Sequence, residues 1–201
     1  MKKIPTLFER VYDDKGKVIG ITDHVKPGLE FVLEGKCVAT IKYDGACCAI
    51  LNGELYKRFD AKPGRKIPEG AIPCCEPDPI TWHHPHWVKC DPDNPSDKWF
   101  FVALENAKGM GLVHDEDHTY EAVGKHFNGN PYDISYDTLL PHGGDEIEYF
   151  KFYPVNFENI KRFLTNKVTE GIVFWDAGGP VCKIKRKDFG LPWPVKNYGT
   201  N

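Results

Sequence analysis

The dipeptide Asn52-Gly53 separates two apolar-rich runs and constrains the fold more than any other feature of this chain. Asn-Gly is the preferred sequence of a type I′ turn, which joins adjacent antiparallel strands through two residues with positive φ. The sequence therefore predicts a hairpin of Ala46–Leu51 and Glu54–Phe59. Because a two-residue turn pairs the residues on either side of it, the register places Cys47 opposite Arg58.

A lone lysine, Lys42, lies between the apolar run Cys37–Ile41 and the turn residues Asp44-Gly45. We interpret the run as a short buried strand, so that Lys42 stands where strand and turn meet. A full positive charge is costly among small and apolar neighbours, and burial favours the neutral amine that a nitrogen nucleophile requires. The same pattern also suits a lysine that ends a strand and points into water, and this stretch alone leaves both interpretations open.

The composition is that of a folded globular protein, with 41% hydrophobic and 13% aromatic residues. A chain of 201 residues can form one substantial core, so we expect a single domain over residues 1–201. No apolar run reaches the length of about 18 residues that a membrane span needs, and the first residues lack the apolar segment of a secretion signal. We therefore expect no membrane partner.

The cysteine count bears on the cellular compartment, and the net charge bears on the way this protein could bind nucleic acid. Seven cysteines are an odd number in a chain too large to need disulfides, which favours reduced thiols and a cytoplasmic or otherwise intracellular location. A net charge of -3 argues against a protein that binds nucleic acid through its overall charge. It still allows local basic patches, and the two most basic segments are Lys57–Lys66 and Lys183–Lys187.

Residues 60–98 are rich in proline and predict a long irregular insertion. Its thiols and imidazoles are Cys74, Cys75, His83, His84, His86 and Cys90. Their spacing matches no common zinc-binding pattern, so we expect solvated loop histidines and no structural zinc in this segment.

Further runs predict the remaining elements. Phe31–Leu33 could form an edge strand, Trp99–Asn106 a buried helix or strand, and Ile147–Tyr153 a strand. Apolar residues at helical spacing over 157–164 predict an amphipathic helix, with Asn156 placed to cap it. Another strand, Thr119–Val123, carries Glu121 among apolar neighbours. A buried carboxylate needs a hydrogen-bonding partner, which could be structural or a ligand hydroxyl.

A second hairpin is predicted near the end of the chain, where Glu170–Trp175 and Val181–Lys187 flank a glycine-rich turn. Period-two alternation places three lysines on one face of its second strand: Lys183, Lys185 and Lys187. Such a row is often a solvated face that prevents aggregation. Beside a strand that begins with Glu170, it also suits a polyanion site next to a metal-binding carboxylate.

Four elements now occur in order: K-x-D-G at Lys42, an arginine 16 residues later, an isolated strand glutamate, and E-G-I-V-F-W followed by Lys-x-Lys. This order resembles the covalent nucleotidyltransferase superfamily, which comprises ATP-dependent RNA and DNA ligases and mRNA capping enzymes. Four segments more narrowly resemble the vertebrate-type 5′-to-3′ RNA ligase family, which also has bacterial and viral members. They are Asp44–Cys48, Phe127–Tyr132, Leu140–Gly143 and Asp188–Pro194.

The resemblance implies an α+β fold, a nucleotidyltransferase (ATP-grasp-like) domain of two antiparallel sheets with flanking helices and the nucleotide between them. It implies ATP-dependent joining of RNA 5′-phosphate and 3′-hydroxyl ends, through a lysyl-AMP intermediate and an adenylylated RNA 5′ end. ATP and Mg²⁺ or Mn²⁺ would be required. We expect a monomer without a C-terminal oligonucleotide-binding domain, in which the two basic segments contact the RNA.

The resemblance also implies roles for individual residues. Lys42 would be the nucleophile that attacks the α-phosphate of ATP, and Ile41 would contact the AMP. Arg58 would lie near the ribose and the incoming 5′-phosphate. Glu121 would bind the ribose hydroxyls, with Glu105 as a weaker candidate for the same role.

On the second hairpin, the resemblance implies that Glu170 holds the metal while Lys183 and Lys185 bind the phosphates. Further site residues of unassigned role are Asp44, Asn130 and His142. An aromatic side chain should stack on the adenine, and the candidates are Tyr149, Phe150 and Phe152.

Two other kinds of function fit parts of this pattern. A DNA ligase or a capping guanylyltransferase would use the same lysine chemistry with a different nucleotide or a different end. A binding module that recognises nucleic-acid ends without turnover would keep the basic surface but form no covalent intermediate. Trials of ATP against GTP, and of RNA against DNA ends, would separate these functions.

Overall fold

The computed structural model describes residues 4–62, 64–79 and 82–195. The elements in chain order are β1 (Phe8–Tyr12), β2 (Val18–Val25), α1 (Glu30–Leu33), β3 (Val38–Lys42), β4 (Ala46–Leu51), β5 (Glu54–Ala61), β6 (Ile72–Pro73), β7 (His84–Lys89), α2 (Lys98–Gly109), β8 (His118–Val123), β9 (Thr138–Pro141), α3 (Tyr149–Phe152), α4 (Phe157–Asn166), β10 (Gly171–Asp176), β11 (Gly179–Lys185) and a 3-10 helix (Arg186–Phe189). Antiparallel sheets with a few helices confirm the predicted α+β class.

The described chain forms two compact units. Unit 1 is Asp44–His142, and unit 2 combines Ile4–Tyr43 with the described residues from Gly143 onward. In the described ranges, no helix is both long enough and apolar enough to cross a lipid bilayer.

Unit 1 is built on a six-stranded antiparallel sheet in the order β6-β7-β5-β4-β8-β9. The predicted hairpin forms its centre, with Leu51 opposite Glu54. The φ angles of Asn52 and Gly53 are 51° and 76°, as a type I′ turn requires. Helix α2 packs on the sheet, and its small buried residues meet side chains such as Tyr120 of β8 in one core.

Unit 2 contains a three-stranded sheet in the order β11-β10-β3 and the two-stranded sheet β1-β2. Its core includes Leu7, Phe8 and Phe174, each fully buried, and one face of helix α4. The predicted cap of α4 is confirmed, because the side chain of Asn156 accepts a hydrogen bond from the backbone N–H of Asn159 at 2.9 Å.

Two predicted strands are helical turns instead. The segment expected as the strand Phe31–Leu33 is helix α1, in which Val32 alone is buried. The segment Ile147–Tyr153 contains helix α3. The adjacent side chains Tyr149 and Phe150 both pack on the core of unit 2, which one turn of helix allows and the alternating faces of a strand do not.

The proline-rich segment 60–98 is more ordered than its composition predicts. Strand β7 pairs with β5 over six residue pairs, and the short strand β6 covers the outer edge of β7. Pro85 lies near the start of β7, where the loss of one backbone donor costs little.

Lys187 does not continue the strand as predicted, because β11 ends at Lys185 and the next residues form the 3-10 helix.

Candidate active site

Three adjacent strands of unit 2 bring the predicted lysines and Glu170 together. Lys42 is the last residue of β3 and pairs with Gly171 at the start of β10. On its other side, Gly171 pairs with Lys185, the last residue of β11. Because Glu170 directly precedes Gly171, strand pairing alone places its carboxylate near both lysines.

Glu170 is hydrogen-bonded to both lysines, through Oε2 to Nζ of Lys42 and through Oε1 to Nζ of Lys185. The side chain of Glu170 is 9% exposed and that of Lys42 is 22% exposed, so the charges are largely removed from water. Burial raises the pKa of Glu170, but the two ammonium groups and their hydrogen bonds outweigh burial. The net pKa is therefore lowered from its ordinary value, and the carboxylate is ionised at neutral pH.

Lys183 adds a third ammonium to this cluster. Its pKa is lowered to about 8, first by burial and then by repulsion from Lys185 and Lys42. Attraction by Glu170 opposes this shift, and repulsion from Arg10 adds to it. Three half-buried lysines thus lie around one carboxylate that two of them contact, and such an excess of positive charge suits an anionic ligand.

Two small residues hold the backbone around Glu170. A Cβ atom on Gly171 would lie 2.3 Å from the carbonyl oxygen of Ile184, so glycine is needed where β10 and β11 approach each other. Thr169 is fully buried, and its hydroxyl donates to the carbonyl of Lys42 at 3.1 Å. No motif predicted this role of Thr169, and its signal in the sequence is a polar residue directly before Glu170-Gly171.

Asp188 fixes the end of β11 and was also missed as a site residue. Its Oδ2 accepts the backbone N–H of Lys185 at 2.8 Å, and its Oδ1 lies 3.4 Å from Nη2 of Arg10. Asp188 is buried, so this contact restrains the backbone that carries Lys185. The sequence had singled out residues 188–194 only as part of a resemblance.

A cavity of about 480 Å³ within unit 2 lies beside Ile41, the residue before Lys42. Aromatic and apolar side chains around it include Tyr43, Tyr149, Phe163 and Val168. The hydroxyl of Tyr149 is buried and has no hydrogen-bond partner among the described residues. The cavity therefore has aromatic and apolar side chains on part of its wall and charged side chains, among them Asp145 and Lys167, on the rest.

The three aromatic candidates for stacking on adenine differ in their surroundings. Tyr149 lines the cavity with Ile41. Phe150 packs in the core, with its ring centroid 5.7 Å from that of Phe163. Phe152 is 79% exposed. Of the three, Tyr149 is the one that shares a cavity with the residue before the predicted nucleophile.

Unit 1 brings two other predicted site residues together, Glu121 on β8 and His142 just after β9. Oε1 of Glu121 accepts the backbone N–H of Gly45 at 2.9 Å, and Oε2 lies 3.1 Å from Nε2 of His142. Nδ1 of His142 lies 2.9 Å from the hydroxyl of Thr119. The partners of Glu121 are therefore defined within unit 1, as a buried carboxylate requires.

Gly45 is required by a close approach between two strands. A Cβ atom at this position would lie 2.1 Å from the carbonyl oxygen of Ala122 on β8. Real Cβ atoms do not approach an oxygen so closely, so a larger residue would push the start of β4 away from β8. The glycine therefore keeps its own N–H in reach of Glu121.

Arg58 and Cys47 are neighbours in unit 1, in agreement with the predicted register. Nε of Arg58 donates to Oδ1 of Asp60 at 2.8 Å, and Arg58 also interacts with the Cys47 thiol. Burial raises the pKa of Cys47 to about 12, an effect that Glu121 reinforces and Arg58 opposes. The thiol is thus protonated at neutral pH and is not a nucleophile by itself.

Two further candidates, Asp44 and Asn130, have structural contacts. The carboxylate of Asp44 accepts from Nδ2 of Asn128 at 2.7 Å, and its backbone N–H donates to the hydroxyl of Tyr132 at 2.7 Å. Asn130 closes a turn with Ile134 through hydrogen bonds of 2.9 and 3.0 Å. The segment Phe127–Tyr132, noted first as a motif, thus holds the start of β4 in place.

Glu105 lies elsewhere in unit 1. It is on the exposed face of α2, where it pairs with Lys108 at 2.8 Å. Its side chain is 70% exposed, whereas that of Glu121 is 13% exposed. Glu121 is therefore the better match to a glutamate held in a defined orientation.

Comparison with known proteins agrees with the motifs. Residues 103–201 match a protein family described as RNA ligase 1. RNA ligase 1 of Danio rerio is 26% identical to this chain over 275 residues, with 100% of this chain and 84% of the relative covered. RNA ligase 1 of Rattus norvegicus is 25% identical over 234 residues, with 82% of this chain and 70% of the relative covered. The chain is thus similar to RNA ligase 1 proteins, which confirms the resemblance inferred from its motifs.

Proposed function

We propose that this chain is an ATP-dependent RNA ligase that carries AMP on Lys42. The observation that supports this most directly is the cluster in unit 2, where Lys42 pairs with the buried carboxylate of Glu170. Lys185 and Lys183 place two more positive charges beside it. Such a cluster combines a held amine with the charge needed to bind polyphosphate.

In the first step, Nζ of Lys42 attacks the α-phosphorus of ATP. The Lys42 ammonium first gives up one proton to solvent, and the neutral amine then forms the nitrogen–phosphorus bond. The bond to the pyrophosphate oxygen breaks, pyrophosphate leaves, and the nitrogen loses its remaining extra proton to solvent. Glu170 holds the amine in place, while Lys183 and Lys185 balance the charge that develops on the phosphate oxygens. An oxygen of the RNA 5′-phosphate then bonds to the phosphorus of AMP as the bond to Lys42 breaks, which returns the lysine. Finally the 3′-hydroxyl loses its proton and bonds to the RNA 5′-phosphate, and AMP leaves as the strand is sealed.

A divalent metal would be held by Glu170 only together with the ATP phosphates, because both carboxylate oxygens already contact Lys42 and Lys185 and the phosphates would supply the negative charge that the three lysines leave unbalanced. The carboxylate is buried and ionised, and protein sites bind Mg²⁺ or Mn²⁺ through one or two carboxylates together with substrate phosphates. When bound, the metal would supply further charge neutralisation at the phosphates. Glu170 is the residue that we assign to hold it.

Other residues receive their assignments from the resemblance, supported by their local surroundings. We assign Ile41 and Tyr149 to the adenine, because they share the cavity in unit 2. We assign Glu121 to the ribose hydroxyls and Arg58 to the incoming 5′-phosphate. The fixed hydrogen bonds of Glu121 support its assignment, since they hold the carboxylate in one orientation.

The test of this function is a comparison of nucleotides and nucleic-acid ends. We expect ATP labelled at the α-phosphate to label the protein, and GTP to do so at least about tenfold less. The protein should join RNA ends that carry a 5′-phosphate and a 3′-hydroxyl, in single strands or loops, and all-DNA ends more weakly. RNA binding should weaken steeply with salt if the basic segments contact phosphates. Equal or better sealing of nicked duplex DNA would contradict the RNA assignment, and an absence of covalent label would favour a binding module.

A second prediction concerns the pH dependence of nucleotide binding. Because the pKa of Lys183 is lowered to about 8, its positive charge is present at pH 7 and largely lost at pH 9. The affinity for an ATP analogue with a methylene group between the α- and β-phosphorus should therefore fall by about tenfold over this range, since one charge-assisted contact is lost. Titration calorimetry would measure this without turnover.

The control for this prediction is Lys183→Arg, because a guanidinium stays protonated throughout the range. This variant should show a flatter pH profile. Lys187→Arg, at an exposed position, should keep the profile of the unaltered protein. Equal pH profiles for Lys183→Arg and the unaltered protein would exclude Lys183 as the titrating phosphate ligand.

A further inference from the structure

A second cluster of chemically active side chains lies in unit 1: Cys47, Glu121 and His142. One ligand atom from each lies within 4.8 Å of the other two. Cys47 on β4 and Glu121 on β8 are direct register partners, and Glu121 in turn pairs with Leu140 on β9, two residues before His142. Three hydrogen-bonded strands therefore hold the three donors together, without any contribution from a long loop.

The donor set is a thiol, a carboxylate and an imidazole. Zn²⁺ accepts all three donor types and is often bound by three protein ligands with a fourth position open, whereas Mg²⁺ prefers oxygen donors. The hydroxyl of Thr119 lies 2.9 Å from Nδ1 of His142, so it can accept a hydrogen from that nitrogen and leave Nε2 free to bind a metal. Oε1 of Glu121 stays engaged with Gly45, which leaves Oε2 as the ligand atom.

We propose that Cys47, Glu121 and His142 bind a divalent cation of the Zn²⁺ type, with a fourth position open to water or a ligand. Binding replaces the thiol proton, which passes to solvent, by a sulfur–metal bond, and no electrons are transferred. The thiolate and the carboxylate together balance the charge of the ion. Arg58 is the neighbouring cation, and its contact with Cys47 favours the thiolate while it opposes a second positive charge.

The test uses Co²⁺ as a spectroscopic probe on the full chain without an affinity tag. Binding should give one equivalent of bound Co²⁺ with thiolate-to-cobalt charge-transfer absorption and the intense visible bands of a four-coordinate site. Cys47→Ser, which is nearly isosteric, should abolish the charge-transfer absorption. His142→Asn should weaken binding at least about tenfold, and Thr119→Val should weaken it by about tenfold through the loss of an outer-shell contact.

Two matched control variants test whether thiols or imidazoles outside the proposed site bind the Co²⁺. Cys37→Ser removes a half-buried thiol in unit 2, and His24→Asn removes an exposed imidazole, and both should leave the spectrum unchanged. Circular dichroism would establish that Cys47→Ser and His142→Asn are folded. The proposal is overturned if the unaltered protein shows no charge-transfer absorption. It is equally overturned if Cys74→Ser removes the absorption while folded Cys47→Ser retains it.

One consequence rests on the function proposed above. If Glu121 binds the ribose, the ion and ATP compete for the same carboxylate, so Zn²⁺ should inhibit the attachment of AMP and Cys47→Ser should relieve that inhibition. The two proposals fail separately. Cobalt binding without zinc inhibition would retain the metal site and remove Glu121 from the ribose, while zinc inhibition that is unchanged in Cys47→Ser would place the inhibitory ion elsewhere.

Discussion

Replacing Lys42 by alanine or by arginine should abolish the attachment of AMP to the protein. In the proposed mechanism Nζ of Lys42 forms the bond to phosphorus, so alanine would remove the nucleophile altogether. Arginine keeps a positive charge beside Glu170, but a guanidinium is always protonated and cannot attack. We expect the label from α-labelled ATP to fall below detection in both variants, a loss of at least about 10³-fold if the residual rate is measurable.

The same variants separate chemistry from binding. Lys42→Ala should still seal RNA that is supplied with a 5′-adenylate, though more slowly, because that step uses no lysine nucleophile. Lys36→Ala is the matched control, since Lys36 is an exposed lysine of the same unit in an ion pair with Glu34. It should label normally. Undiminished labelling of a folded Lys42→Ala protein would show that another residue carries the AMP.

The parts of the fold that depend on local chemistry were predictable from sequence. Asn52-Gly53 defines the β4–β5 hairpin because few dipeptides adopt two successive positive φ angles, and the turn then sets the register of both strands. The cap at Asn156 is equally local, since its hydrogen bond spans three residues. In both cases the interaction that determines the local structure lies within a few residues of the sequence motif that predicts it.

The parts that depend on distant partners were not predictable in the same way. Residues 147–153 have the apolar content of a strand, but the packing of Tyr149 and Phe150 on one core selects a helical turn. Strand β7 forms inside a proline-rich segment because β5 provides a partner for its backbone. The composition of a segment describes that segment alone, whereas the helical turn α3 and the strand β7 both depend on contacts with another part of the chain.

The same distinction applies to the residues of the candidate site: some are recognisable from motifs, and others only from the paired strands. The resemblance supplied Lys42, Glu170 and Lys185, whose proximity then follows from the pairing of β3, β10 and β11. It did not supply Thr169 or Asp188, which act by holding backbone groups of those residues. Supporting residues of this kind have no motif of their own, because their role is defined only once the strands are paired.

Glu170→Gln tests the centre of the cluster and should cause the second largest loss. The amide keeps the shape of the side chain but removes the negative charge that pairs with the two half-buried ammonium groups of Lys42 and Lys185. In the proposed mechanism the nucleophile then loses its positioning partner and the metal loses its carboxylate, so adenylylation of Lys42 should slow by about 10²–10³. The remaining rate should depend more steeply on Mg²⁺ concentration than in the unaltered protein.

The stability of the same variant has a defined pH dependence. Because the pKa of Glu170 is lowered in the folded state, its ionised form stabilises the fold above the ordinary carboxyl pKa, and this contribution is lost as the pH falls through the lowered value. Urea unfolding should therefore show a difference in free energy between the unaltered protein and Glu170→Gln that is largest near pH 7 and shrinks on acidification. Glu34→Gln, at an exposed carboxylate paired with Lys36, should change neither labelling nor this profile. If the Glu170→Gln difference is the same at neutral and acidic pH, the ionised carboxylate does not hold the lysines together, and the site assigned to Lys42 loses its support.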